Sequence, residues 1–144
     1  GGIWSLAPGG LAQLSGPARN ISRLLVFKLG AKGQLPEVPP MNQMVLDPPP
    51  FTGTAAQVAK GGQLYGRYCS VCHGDAAVAG GLNPDLRHSG TIGSADALKA
   101  VVIGGQLHEL GMVSFKSALK PADAEAIRMY LIKRANEDKA LESR

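Results

Sequence analysis

Cys69-Ser70-Val71-Cys72-His73 is the stretch that decides how the 144-residue chain folds. It holds both of the chain's two cysteines. A disulfide between thiols so close in sequence closes too small a loop to stabilise much. A Cys-x-x-Cys redox pair belongs in a β-α-β setting near a helix start. Here helical periodicity runs up to the cysteines, and no strand pattern comes just before them. Zinc would need further ligands from His73, His88 and His108, because there is no second cysteine pair.

The chemistry that uses all three residues is covalent haem attachment. Each thiol can add across a haem vinyl group. Two intervening residues set the sulfurs at the separation of adjacent vinyls, and the next side chain lies beneath the iron. Cys-x-x-Cys-His is the signature of c-type haem, so Cys69 and Cys72 are expected to hold one haem c and His73 to ligate its iron. The opposite ligand is sought among Met41, Met44, Met112, Met129, His88 and His108. Met112 lies in Leu110-Gly111-Met112-Val113-Ser114-Phe115, between two helical patterns, and Gly111 permits close backbone approach to a porphyrin. Met129 sits mid-helix beside Tyr130 and reads as packing. Met41 and Met44 fall in a proline-rich stretch. Met112 is the expected metal ligand, with His108 as the rival, since thioether and imidazole both serve as axial ligands.

Outward from the motif, Thr54 can cap a helix whose Val58, Leu64, Tyr65 and Tyr68 fall near one face. A loop rich in Gly and Pro spans residues 74–93. Ser94 caps a second helix, with Asp96 in its first turn and Leu98, Val101 and Val102 on its apolar stripe. Gly104-Gly105 ends it. A last helix opens at Pro121, with Asp123 and Glu125 near its positive end, and the charged tail after Asn136 is expected to fray. Residues 1–50 differ in character. Pro36, Pro39, Pro40 and Pro48-Pro49-Pro50 exclude helix and favour extended geometry. Within them, residues 22–29 read as one short strand that must find a pairing partner. The expected division is an extension over 1–50, carrying that strand and a linker, and a haem domain over 51–144.

Net charge is +4 and the pI near 9.3. The basic residues are scattered, without the interleaved aromatics of a nucleic-acid surface, so nucleic acid is not an expected partner. No apolar run approaches the roughly 20 residues of a membrane span.

Gly61-x-x-x-Tyr65-x-x-x-Cys69-x-x-Cys72-His73 resembles the N-terminal helix of the class I cytochrome c family, over residues 54–136. The resemblance implies a mostly α fold, a few helices around one haem, here behind an extended proline-rich segment with one short strand. It implies that Gly61 contacts the C-terminal helix near Tyr130. In Asn83-Pro84-Asp85-Leu86 it implies that the Pro84 carbonyl orients His73, that Leu86 packs on the haem and that Arg87 pairs with a propionate. Val113 stands where the family often has proline after the methionine.

A narrower resemblance, carried by Arg23-Leu24-Leu25-Val26-Phe27-Lys28-Leu29-Gly30, the linker and Asn83-Pro84-Asp85-Leu86-Arg87, is to the C-terminal part of quinohaemoprotein alcohol dehydrogenases. It implies one-electron transfer in the periplasm. The donor would be a dehydrogenase domain containing pyrroloquinoline quinone (PQQ), absent from this chain, and the recipient a downstream acceptor protein or membrane oxidase. Strand 22–29 would then be the last strand of that domain's propeller, and the haem domain alone would not be an enzyme. A free-standing periplasmic shuttle cytochrome is the alternative.

Overall fold

The computed structural model describes residues 26–30, 32–34, 37, 45–79 and 83–142. Four α-helices are present among them: α1 (Ala55–Tyr68), α2 (Ser70–His73), α3 (Ala95–Val102) and α4 (Pro121–Glu142). Short 3-10 turns interrupt the connecting loops.

α1 begins where a capping box can form. The Thr54 hydroxyl accepts from the Gln57 amide at 3.2 Å, and the Gln57 side chain accepts from the Thr54 amide at 2.8 Å. Ser94 caps α3 in the same way, accepting from the Ala97 amide at 3.3 Å. α4 starts with Pro121, and the Asp123 carboxylate receives the Lys120 amide at 2.9 Å.

α4 is the central element. Its buried residues Ala126, Ile127, Met129, Leu131, Ile132 and Ala135 spread around most of its circumference, so neighbours must cover it on several sides. α1 crosses it at Gly61, where a Cβ would lie 2.0 Å from the Ala126 carbonyl oxygen. Only a residue without a side chain permits that approach. One turn on, the Tyr65 and Tyr130 rings meet with centroids 5.3 Å apart. Lys60 adds an ion pair to Asp123 across the same junction. α3 contributes Leu98 and Val102 to the shared core.

Two sequence-based expectations need correction. The described part of the 22–29 strand is not a strand: residues 26–28 have no regular structure, Leu29 and Gly30 form a turn, and Val26, Phe27 and Leu29 are exposed. No strand exists among the described residues to pair with it, and an unpaired strand leaves its backbone groups to water. Residues 22–25 lie outside the described residues, as do Met41 and Met44. The tail after Asn136 does not fray but continues α4 to Glu142. Its charges are paired along the helix, Lys133 with Glu137 and Arg134 with both Glu137 and Asp138.

The end of the proline-rich stretch lies on α4. Leu46 is fully buried, Asp47 meets Lys139 at 2.8 Å, and Asn136 donates to the Pro49 carbonyl at 2.9 Å. No helix among the described residues is long and apolar enough to cross a membrane.

Candidate haem site

The chain leaves α1 at Cys69, whose amide still donates to the Tyr65 carbonyl at 2.9 Å, and closes the single turn α2 at His73. Cys69 is thereby buried and Cys72 exposed. Burial, then the neighbouring Cys72, pushes the Cys69 thiol up to about 11. Reactive redox cysteines have the opposite shift.

His73 is buried, and its Nδ1 lies 2.9 Å from the Pro84 carbonyl oxygen. A carbonyl only accepts, so Nδ1 carries a proton and Nε2 is the nitrogen left to face a metal. A ligating histidine is normally fixed in this way. Asn83 approaches from the preceding position, its side-chain amide donating to the Cys72 carbonyl at 2.9 Å. The Tyr65 hydroxyl lies 3.1 Å from the His73 carbonyl and 2.7 Å from that of Gly74. Burial raises the Tyr65 pKa, which keeps the hydroxyl a donor. Neither bond was foreseen. The available signal for Tyr65 was that a buried tyrosine hydroxyl needs an acceptor.

Met112 stands in the loop between α3 and α4, just after Gly111, whose φ of +91° belongs to the left-handed region. It is partly buried and packs on the core with Leu86, Phe115, Tyr68 and Ile103. His108 is exposed. Of the two residues considered as the second ligand, only the thioether joins the apolar side chains. Met129, by contrast, is buried beside Gly53 as core packing. The Nδ1 of His73 tied to a carbonyl, two cysteines one turn apart and partly covered apolar side chains together fit haem c: two attachment points, an oriented imidazole and apolar side chains for a flat apolar ring.

Arg87 is held by two carboxylates of the chain. Its Nε and one terminal nitrogen donate to Asp85 at 3.0 and 2.6 Å, and the other donates to Asp138 at 2.9 Å. Each of its three nitrogens thus donates to a carboxylate of the chain, and each terminal nitrogen keeps a second N–H that a propionate could accept.

Residues 56–131 match the family model described as cytochrome c oxidase, cbb3-type, subunit III. Over 139 residues, 96% of this chain, the sequence is 44% identical to quinohemoprotein alcohol dehydrogenase ADH IIB of Pseudomonas putida. It is 39% identical over 95% of its length to the dehydrogenase subunit of alcohol dehydrogenase (quinone) of Gluconobacter oxydans. The chain spans about a fifth of the length of these curated relatives, 20% and 18%. Among solved structures, quinohemoprotein alcohol dehydrogenase ADHIIG from P. putida HK5 matches with a TM-score of 0.64 and 36% identity, covering 81% of this chain and 16% of that one. On the attachment turn, the α1–α4 crossing and these matches, the chain belongs to this cytochrome c family, as a domain with covalently bound haem c that serves electron transfer.

Proposed function

We propose that the chain is the electron-relay unit of a quinohaemoprotein alcohol dehydrogenase in the periplasm. It takes electrons from a PQQ-containing dehydrogenase domain and passes them singly to a downstream acceptor protein or membrane oxidase. The observation that carries this reading is the extent of the similarity. The family model spans residues 56–131, whereas relatives named as quinone-dependent alcohol dehydrogenases match 95–96% of the chain. The residues ahead of the haem unit are therefore shared with those enzymes, and a free-standing shuttle has no need of them. In this reading residues 1–50 carry the link, its last residues are laid down on α4, and residues 51–144 form the cytochrome unit.

The haem supplies the one-electron Fe(III)/Fe(II) couple. Cys69 and Cys72 would hold it through two thioether bonds. His73 would offer Nε2 to the iron, its tautomer set by Pro84. Met112 would supply a thioether ligand, which raises the potential relative to a second imidazole. Leu86 would pack against the ring. Two side-chain ligands would leave the iron no open site for oxygen, which suits relay over oxygen chemistry. Exposed Cys72 marks the edge by which electrons enter or leave.

The test mixes the haem-loaded chain, oxidised, with a haem-free PQQ alcohol dehydrogenase and its alcohol. The ferric spectrum should convert to ferrous only when dehydrogenase and alcohol are both present. A cytochrome that stays ferric under those conditions, yet reduces with a chemical reductant, contradicts the assignment of the donor.

A further inference from the structure

Pro84 is the residue whose carbonyl meets His73, and it is braced on both sides. On the N-terminal side Asn83 is tied to Cys72. On the C-terminal side Asp85 accepts both the amide and the Nε of Arg87 at 3.0 Å. Arg87 in turn reaches across the fold to Asp138 near the end of α4. Asp138 also receives Arg134, at 3.0 and 2.9 Å, and Arg134 lies 3.4 Å from the carbonyl of Ala76. Ala76 and Ala77 both have positive φ, 54° and 67°, which a non-glycine backbone keeps only when its surroundings enforce it. Thus one carboxylate holds two arginines, and the two arginines hold both arms of the loop that leaves His73 and returns to it. The side chains of Arg87, Asp138 and Asp85 are only 11%, 13% and 19% exposed, so the bonds between them are shielded and geometrically defined.

We infer that Asp138 is a positioning residue for the iron ligand. Through Arg87 and Asp85 it fixes the Pro84 carbonyl, and so the strength of the hydrogen bond that Nδ1–H of His73 donates. This deepens the reading of His73 as the proximal ligand and rests on it. A strong bond at Nδ1 makes the imidazole more basic and favours the ferric state. Releasing Arg87 from α4 weakens that bond. Neutralising Asp138 leaves Arg87 with Asp85 as its carboxylate partner, so the loop loses its tie to the end of α4 and has reason to move.

The experiment uses the haem-loaded chain and two readouts: the reduction potential, and solvent exchange of the His73 Nδ1 proton followed by NMR. Asp138→Asn should raise the potential and speed the exchange about tenfold, the equilibrium weight of one charge-assisted hydrogen bond. Asp96→Asn, which removes the same charge but disturbs only an exposed pair on α3, should change neither. Unchanged potential and exchange in Asp138→Asn, with only the melting temperature lowered, would reduce Asp138 to a structural role and overturn the inference. Should Asp138→Asn fail to take up haem, Asp138→Glu decides. It keeps the charge but displaces it, and it must move both readouts in the same direction by less; no movement overturns the inference. In the unaltered protein the His73 ring protons must show the large shifts of a ligand to paramagnetic iron. Their absence would instead strike the ligand assignment itself.

Discussion

The two sides of the haem site are built by different means. On the His73 side, each segment near the ligand is fixed by side chains from elsewhere: Tyr65 on the His73 and Gly74 carbonyls, Asn83 on Cys72, Arg87 and Asp138 behind Pro84. On the Met112 side the loop is held chiefly by itself and by its hinge with α3. The Met112 amide bonds Leu107 at 3.1 Å, the Phe115 amide bonds Val102 at 2.8 Å, and the Ser114 hydroxyl bonds Ile103 at 2.6 Å. Leu110 and Val113, flanking Met112 and Gly111, are exposed. The lesson is one of redundancy. The histidine side spreads its constraint over several independent bonds, so single losses there should tune the iron. The methionine side depends on one short loop, so a single loss should open it.

The largest disruption of both sides at once comes from the crossing that supports them. Gly61→Val drives side-chain atoms into the Ala126 carbonyl. Overpacking at a backbone contact should cost about 3 kcal/mol or more, read as a lower denaturant midpoint with loss of haem-pocket ellipticity. Next comes Met112→Ala, which should let carbon monoxide bind the reduced protein and should lower the potential. The Nδ1 proton of His73 should stay as protected as before. Loss of that protection would show the two sides to be coupled and break the comparison. Asn83→Ala is milder, removing one hydrogen bond worth about 1 kcal/mol. It should shift the potential slightly and admit no carbon monoxide.

The smallest effect is that of acid. The carboxyl groups of Asp123 and Glu137 are held below their ordinary range, chiefly by hydrogen bonds from Lys60 and Lys133. Groups with depressed folded values stabilise the fold above the unfolded carboxylate range, and that contribution is lost as pH falls through the folded values. The melting temperature should therefore drop below about pH 4. The drop should be shallower in Glu137→Gln, by a modest margin because these pairs are exposed.

What could be read from the sequence was what is encoded locally. Thr54, Ser94 and Pro121 each announce a helix start within a few residues of themselves. Cys69, Cys72 and His73 fall within one turn, so their spacing alone carries the chemistry. Gly61 and Tyr130, far apart in sequence, were reached only through resemblance to a family. The failures share a cause. Residues 22–29 have strand composition, but a strand is made by its partner, and none lies among the described residues. The pairing of Arg87 with Asp138 could not be seen locally either, because that carboxylate comes from the far end of α4. The helix tail is ordered by pairs along α4 together with the distant ties of Asp138 to Arg87 and of Lys139 to Asp47.

Intact mass and visible spectrum, taken before and after acid–acetone extraction on the chain made with the haem-attachment machinery, decide whether Cys69 and Cys72 carry a covalent haem. The polypeptide should be heavier by one haem, its colour should stay with the protein after extraction, and the ferric form should show a weak far-red sulfur-to-iron band that Met112→Ala removes. A mass equal to the bare polypeptide, with no Soret absorption retained, would contradict the covalent attachment.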